Sequence, residues 1–424
     1  MIKTDTLQPV REKERAHILD ILRGFALLGI CLANNFYTSL YVFQNAEFKA
    51  SLPTASLDWW LNRLNYALID GKFYSIFSLL FGVGFSIILS RNSSPGTNGT
   101  RVFYRRLCIL FFIGLCHSLL LWDGDILLFY SVVGMLLPVF KNSSDKTLLA
   151  TATALVLSPL LFDLLKVLTD GVWNISTPIK TAALKHDATV GISENNFNTW
   201  LISHNSYKDL VDWCRSGTLW GWQLRLDSNR IPKVLAMFLL GLYAGRHRIY
   251  ADLMENEALL RKMQRWGFGI GLPAGVAHAW LEFDGRYLPA AAGLLDTVSY
   301  ALNVVPLAMA YVATLSLCYL NPAFNKKIQY IRPVGRMALT NYIMQSFFGV
   351  AIFWGIGAGL GGKIGPAVFL PIGLAIWLFQ VLYSTWWMRH FYYGPLEWIW
   401  RMLTYGKILP IRKPKTLDNY ESSN

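Results

Sequence analysis

The chain has 424 residues, of which 54% are hydrophobic and only 15% are charged, and this composition excludes a string of soluble domains. Its 39 Lys and Arg against 26 Asp and Glu give a net charge of +13. In a membrane protein such an excess of basic residues indicates the orientation of the spans in the membrane rather than nucleic-acid binding. Most of the 5 cysteines lie in apolar runs, so no disulfide scaffold is predicted. We expect an all-α membrane protein in a lipid bilayer, without a nucleic-acid partner.

A helix needs about 20 mostly apolar residues to cross a hydrocarbon core of about 30 Å. By this measure the sequence predicts a polytopic transmembrane helix bundle of about ten spans, at 18–43, 72–90, 103–121, 125–140, 147–168, 231–245, 267–283, 290–320, 339–361 and 367–388. The first run contains Asp20 and Arg23 and no small-residue cleavage site, which predicts an uncleaved span rather than a signal peptide.

The basic residues predict the orientation of these spans. If the N-terminus is cytoplasmic, the inside segments carry 25 Lys and Arg and the outside segments ten, which favours both termini inside. The predicted organisation is a basic cytoplasmic N-terminus (1–17), a transmembrane domain (18–388) and a cytoplasmic amphipathic and basic C-terminal segment (389–424). Within the transmembrane domain, 169–230 forms a long extracytoplasmic segment. Its aromatic residues are interpreted as membrane-interface anchors, with an aromatic lid over a ligand as the alternative; they are Trp200, His204, Trp213, Trp220 and Trp222.

Polar side chains in apolar spans are costly, so they are the first functional candidates. Arg23 and Asn34 are eleven residues apart, which places them on one face of the first helix, about 16 Å apart along its axis. Asp20 lies one turn before Arg23 and is expected to pair with it. The alternative is that Arg23 reaches the cytoplasmic interface and Asn34 bonds a neighbouring helix.

The third and fourth spans form a predicted hairpin through LLWDGDILLFY. His117 lies about one and a half turns before the turn that contains Asp123 and Asp125. A histidine near a carboxylate is suited to general-base catalysis, because its pKa is near neutrality and the carboxylate can fix its tautomer. The alternative, favoured for Asp123, is a helix cap in an interhelical turn.

Further polar groups occur in the later spans. Asp296 and Asn303 share a face of the eighth span, and Asn341 and Gln345 lie at the inner end of the ninth. We interpret these four as substrate-binding candidates together with Arg23, although helix packing explains such amides equally well. In the second span, Gly82 and neighbouring serines recur at helical spacing and predict close helix packing.

The cytoplasmic surface carries Arg105, Arg106 and Arg336, which we interpret as binding a phosphorylated donor; contact with lipid headgroups is the alternative. The helix predicted to begin at Pro395 has enough apolar surface to lie in the membrane interface. The seven histidines show no metal-ligand spacing, and no nucleotide-binding loop is present, so no metal site is predicted.

Five segments resemble the bacterial YeiB-type inner-membrane family, which is known as domain of unknown function 418: LDILRGFALLGICLANN, GKFYSIFSLLFGVGFSIIL, GLCHSLLLWDGDILLFYSVVG, GRMALTNYIMQS and YGPLEWIWRMLTYG. They occur in this order over nearly the whole chain. The resemblance implies a multi-pass protein of the bacterial cytoplasmic membrane and carries no assigned reaction.

More distantly, the first span is similar to the LDxxRGxA span of the transmembrane acyltransferase superfamily, which includes heparan-α-glucosaminide N-acetyltransferase and polysaccharide O-acetyltransferases. The resemblance makes Arg23 and Asn34 the counterparts of that superfamily's basic residue and of the polar residue eleven positions later. The heparan enzyme has a catalytic histidine after its first span, where this sequence has Asn45. His117 would have to replace that histidine.

The sequence therefore predicts a membrane acyltransferase that uses acetyl-CoA or another acyl-CoA as its donor and holds no permanent cofactor. The acceptor would be a hydroxyl or amine of a small molecule or glycan, positioned by Asn34, with His117 as base and Asp125 as its orienting partner. Two alternatives stay open: a transporter or flippase of a small metabolite or lipid-linked sugar, and a membrane protein without turnover. A homodimer is also left open.

Overall fold

The computed structural model describes residues 16–91, 98–172, 174–281 and 290–414, and these are largely helical. The α-helices in the described ranges are α1 His17–Thr38, α2 Ala46–Ser51, α3 Ala55–Leu64, α4 Lys72–Arg91, α5 Gly99–Leu120, α6 Leu127–Gly134, α7 Asp145–Leu168, α8 Thr177–Val190, α9 Phe197–Ser203, α10 Tyr207–Asp227, α11 Arg230–Arg246, α12 Glu257–Trp280, α13 Ala291–Leu320, α14 Pro322–Ile328, α15 Arg332–Arg336, α16 Ala338–Phe353, α17 Pro366–His390 and α18 Pro395–Tyr405. A π-helical turn at Asn65–Ile69 leads into α4. The predicted all-α class is confirmed, while most of the predicted N-terminal segment and residues 415–424 lie outside the described ranges.

Among the described residues, 6 helical stretches are long and apolar enough to cross a membrane: His17–Thr38, Ala55–Arg91, Gly99–Leu120, Asp145–Leu168, Ala291–Leu320 and Pro366–His390. Two further apolar stretches, Leu127–Phe140 and Ala338–Phe353, are shorter. The fold is that of a multi-pass membrane protein. The count of about ten spans stays a prediction, because α11 has only 17 residues and α12 begins with polar turns. The orientation of the termini also stays a prediction.

The first helix, α1, packs against α4, α15, α16 and α17. Its contact with α15 is made by backbone on both sides. A Cβ atom on Gly24 would collide with the carbonyl oxygen of Ile331, and a Cβ atom on Gly335 would collide with that of Asp20. Glycine on both sides therefore permits the close approach of α15, which ends at Arg336, to the N-terminal part of α1.

The predicted close packing of α4 is confirmed by its contact with α11. A Cβ atom on Gly82 would collide with the carbonyl oxygen of Phe238, and one on Gly241 would collide with that of Leu79. The glycines again allow two helices to meet at backbone distance, which increases the dispersion contacts between them. This contact anchors α11, whose first residue is Arg230, against the bundle.

The long segment 169–230 folds into α8, α9 and α10 and packs onto the bundle. Trp200 and Trp213 are each 4% exposed, and Trp213 contacts Trp354 with ring centroids 6.5 Å apart. Their interpretation as membrane-interface anchors is wrong, because both rings are buried within the protein. The hydroxyl groups of Ser118 and Thr218 lie 2.6 Å apart, so α10 covers the end of α5.

Candidate active site

The turn between α5 and α6 holds a buried histidine–aspartate pair. Nδ1 of His117 lies 2.7 Å from Oδ2 of Asp125, and each side chain is 1% exposed. The other carboxylate oxygen of Asp125 accepts the amide of Leu128 at 2.6 Å, which caps the start of α6. Gly114 lets α5 and α6 approach each other closely, since a Cβ atom there would collide with the backbone of Leu128. The predicted contact between His117 and Asp125 is present.

The second ring nitrogen of His117 is available for chemistry. Nε2 is buried and has no hydrogen-bond partner among the described residues. Its ring lies against Tyr342 and Trp122, with centroids 5.3 and 6.3 Å away. We assign the proton of the neutral ring to Nδ1, because that nitrogen faces the carboxylate. Nε2 then presents a lone pair that is suited to accepting a proton from a bound group.

The surroundings of this turn are poorly solvated. Burial lowers the pKa of Arg225 to about 10, and the charge of Arg230 adds to the effect. Burial likewise raises the pKa of Asp123 to about 6, against the opposing influence of its own backbone amide and of Arg225. Arg225 donates a hydrogen bond to the main-chain carbonyl oxygen of Asp125. Charge interactions at the turn are therefore stronger than they would be in water.

A cavity of about 1600 Å³ opens at the end of the bundle that the sequence predicts to be cytoplasmic. Its basic lining residues are Arg23, Arg91, Arg106, Lys141, Arg246, Arg248, Arg336 and Arg401, and its acidic ones are Asp20, Asp252, Glu255 and Glu397. Eight cationic groups against four anionic ones leave the lining positive. Tyr342 lines this cavity and also contacts the ring of His117, so it connects the two features.

The first-span candidates differ in their placement. Arg23 pairs with Asp20 at 2.8 Å, as predicted, and lines the cavity. The side chain of Asn34 forms no hydrogen bond with any described residue and does not line the cavity. The next amide, Asn35, donates to the carbonyl oxygen of Phe369 at 3.2 Å. No contact brings Asn34 to His117, so its role in positioning an acceptor stays a prediction.

Two of the three predicted donor-binding arginines line the cavity. The guanidinium of Arg106 lies 3.8 Å from the ring centroid of Trp400, and Arg336 donates to the carbonyl oxygen of Tyr392 at 3.3 Å. Arg105 is exposed and is absent from the cavity wall. The Trp400 contact comes from α18, which the sequence predicts to lie at the same surface as these arginines, although spacing does not reveal the contact itself.

The helix predicted to begin at Pro395 does begin there, as α18, but it is attached to the bundle. Glu397 accepts hydrogen bonds from the amides of Leu339 and Thr340 at 2.6 and 3.1 Å, and from the Thr340 hydroxyl at 2.6 Å. These bonds cap the start of α16. The expectation that α18 lies in the membrane interface is therefore incomplete, because its polar face forms part of the cavity wall.

The predicted substrate-binding amides join helices and do not line the cavity. Asn303, Asn341 and Gln345 are all buried. They donate to the main-chain oxygens of Gly271, Val334 and Leu27 at 2.8, 3.1 and 3.3 Å, respectively. Asn341 also donates to Ser384, and Gln345 to Gln380. These contacts agree with the helix-packing alternative for these three residues.

A second buried pair was missed by the sequence analysis. Nδ1 of His278 lies 2.5 Å from Oδ1 of Asp296, and both side chains are 0% exposed. The neighbouring Thr297 donates to Asp163 at 2.7 Å. Asp296 is thus paired with a histidine of α12, and its role as a substrate ligand stays a prediction. Histidine in the apolar segment GVAHAW was the available signal. The described residues contain no group of three metal-ligating side chains.

Comparisons with known proteins place this architecture in a family. Residues 244–407 match the family model described as "Protein of unknown function (DUF418)". The chain is 30% identical over 413 residues to "Uncharacterized protein YxaH" of Bacillus subtilis (strain 168), covering 96% of this chain and 98% of that protein. It is 31% identical over 408 residues to "Uncharacterized protein YeiB" of Escherichia coli (strain K12), covering 92% and 96%. The chain therefore belongs to the YeiB-like DUF418 family of helical membrane proteins, as the sequence segments predicted.

Proposed function

We propose that this protein is an acyltransferase of the bacterial inner membrane, which moves an acyl group such as acetyl from a cytosolic acyl-CoA to a hydroxyl or amine at the outer side. The observation that carries the proposal is the buried His117–Asp125 pair, whose histidine contacts a cation-lined cavity through Tyr342. The likeness of the first span to transmembrane acyltransferases supports it.

The cavity suits a phosphorylated donor. Guanidinium groups bind phosphate through paired hydrogen bonds, and the lining carries an excess of them. Stacking on Trp400 holds Arg106 in a fixed plane, which lowers the entropy lost on binding. The volume of about 1600 Å³ exceeds the range of roughly 300–1,000 Å³ typical of small-ligand sites, so an extended donor has room.

The His117–Asp125 pair suits the acyl-transfer step. Nε2 of His117 would take the proton of the acceptor hydroxyl or amine while its oxygen or nitrogen attacks the thioester carbonyl carbon. The new carbon–oxygen or carbon–nitrogen bond forms as the carbon–sulfur bond breaks, and the CoA thiolate leaves with the proton from Nε2. Asp125 would stabilise the imidazolium in between.

Binding of acetyl-CoA to the detergent-purified protein tests the donor half of the proposal. We expect saturable binding that weakens about tenfold or more in Arg106→Ala and Arg336→Ala, since each loses a charge-assisted phosphate contact. Arg105→Ala is the matched control, because this neighbouring arginine is exposed and outside the cavity. Absence of saturable binding, or equal losses in all three variants, contradicts the donor assignment.

A transporter or flippase is the second candidate, favoured by one observation. No described residue of the outer segment 174–230 lines the cavity, so the cavity is open toward one side, as in an alternating-access state. Proteoliposomes distinguish the two functions. Exchange of a labelled metabolite without formation of free CoA thiol favours transport, whereas thiol formation from acetyl-CoA favours the enzyme.

A further inference from the structure

Two arginines lie outside the cavity, at the end of the bundle that the sequence predicts to be extracytoplasmic. Arg225 is on the last turn of α10, and Arg230 is the first residue of α11. The chain turns between them at Asn229, which has a positive φ of 49°. The sequence did not single out either arginine, because both lie in the segment 169–230 outside the predicted spans.

Arg225 is fixed relative to the catalytic pair. It is 8% exposed and donates to the main-chain carbonyl oxygen of Asp125, the residue whose side chain holds His117. Its guanidinium carbon lies 5.6 Å from the ring centroid of Phe129 and 5.7 Å from that of Trp222. Aromatic faces on two sides stabilise the cation without neutralising it.

Arg230 lies over a layer of tyrosines. Its guanidinium carbon is 5.2 Å from the ring centroid of Tyr74, and the hydroxyl groups of Tyr74 and Tyr300 are 3.0 Å apart. Nζ of Lys233 is 4.3 Å from the ring centroid of Tyr300. Two cationic groups, Arg230 and Lys233, therefore border one pair of phenol rings, which can donate hydrogen bonds to an oxyanion.

Neither guanidinium forms a salt bridge with a carboxylate in the described part of the chain. The acidic groups whose charges act on them are Asp123 and Asp125 for Arg225, and Asp70 for Arg230. None of these three carboxylates forms an ion pair with either guanidinium among the described residues. The carboxylate of Asp125 is already engaged by His117 and Leu128. Cations that are poorly solvated are normally paired. Arg225 is buried and Arg230 is half-buried, and because both lack a carboxylate partner in the described ranges and repel each other, they favour binding of an external anion.

We infer that the acceptor is anionic, and that Arg225 and Arg230 bind its carboxylate or phosphate group beside His117. This inference rests on the proposed function, whose reaction it completes by naming the class of acceptor. The bound anion would bring a neighbouring hydroxyl or amine of the same molecule toward Nε2. An acceptor that is neutral around its reacting group would leave both guanidinium charges uncompensated.

Binding of sn-glycerol 3-phosphate and glucuronate, with glycerol and glucose as neutral counterparts, tests the inference in the absence of acetyl-CoA. Microscale thermophoresis on the full chain in nanodiscs is expected to show binding of the two anions and not of the neutral molecules. Arg230→Gln should weaken anion binding about 10- to 100-fold, and Arg230→Lys should weaken it less. Arg215→Gln, an exposed change on α10, should have no effect.

The outcomes separate the possible sources of the anion and the two proposals. If the natural ligand is a lipid headgroup, nanodiscs of phosphatidylglycerol in place of phosphatidylcholine should weaken binding of the soluble anions. If the natural ligand is a soluble metabolite, binding of these anions should be the same in both kinds of nanodisc. Equal anion binding by wild type, Arg230→Gln and Arg215→Gln overturns the inference. If anion binding depends on Arg230 but the protein does not bind acetyl-CoA, the proposed acyltransferase function is contradicted and the anion site is supported.

Discussion

The carboxylate of Asp125 holds Nδ1 of His117 at 2.7 Å while its second oxygen accepts the amide of Leu128. The position of the histidine is thus determined by a residue whose carboxylate also accepts an amide from the first turn of α6. Because the hairpin itself supplies this geometry, Nε2 is preorganised before any ligand binds.

Removal of His117 should separate catalysis from donor binding. His117→Ala is expected to lower the release of CoA thiol from acetyl-CoA by about 10²- to 10⁴-fold, the usual contribution of a general base, while acetyl-CoA binding persists. His278→Ala is the matched control. It breaks the second buried His–Asp pair, but His278, unlike His117, has no contact with the cavity-lining Tyr342. A wild-type rate in His117→Ala removes this residue from the mechanism, and equal losses in both variants indicate a structural role.

The pKa of Asp123 predicts a dependence of stability on pH. Because burial raises this pKa from 3.8 to about 6, the folded protein binds the proton more tightly than the unfolded chain. The contribution to stability is present below about pH 4 and is lost as the pH rises through about 6. Melting temperatures should therefore fall across this range relative to Asp123→Asn. Asp212→Asn, which is paired with Lys208 at the surface, is the control; a difference that does not vary with pH refutes the assignment.

The backbone contact between α1 and α15 should tolerate no side chain. Gly335→Ala places a Cβ atom against the carbonyl oxygen of Asp20 and is expected to lower the free energy of unfolding by about 1–3 kcal/mol. Gly84→Ala is the matched control, because no heavy atom lies within 4 Å of its Cβ position, and it should be neutral or stabilising by up to about 1 kcal/mol. Thermal unfolding in detergent measures both, and equal melting temperatures argue against the close contact.

The attachment of α18 should depend on Glu397. Glu397→Ala leaves the amides of Leu339 and Thr340 without their acceptor, which we expect to cost about 1–3 kcal/mol. Trypsin should then cleave at Arg401 faster than in the wild type. Glu257→Ala, a change in an exposed pair with Arg261 on α12, should leave the cleavage rate unchanged. Equal protection of both variants would mean that the apolar face alone holds α18.

The sequence predicted those features that depend on local spacing. Apolar runs of about 20 residues identify the long helices, and His117 and Asp125 lie only eight positions apart across a short turn. The pairing of Arg23 with Asp20 follows from helical periodicity within one element. In each case the interacting groups belong to the same helix or hairpin, so geometry follows from sequence separation.

Features that depend on long-range packing were not predictable in this way. Trp213 contacts Trp354, and Arg106 stacks on Trp400, across large separations in sequence. The anchoring of α18 by Glu397 and the proximity of Arg225 to Asp125 likewise arise only when distant helices meet. The sequence predicted that α18 and the tryptophans of 169–230 face the membrane, because an apolar face does not reveal which surface buries it.

Transfer of label across a membrane tests the central claim most directly. Inside-out vesicles from cells that produce the protein would be loaded with periplasmic extract and supplied with ¹⁴C-acetyl-CoA on their outer, formerly cytoplasmic, face. We predict that label accumulates on luminal molecules with an equimolar release of CoA thiol outside, and that His117→Ala abolishes both. Label that stays outside, or equal luminal labelling by His117→Ala and wild type, would contradict the proposal that this protein is a transmembrane acyltransferase.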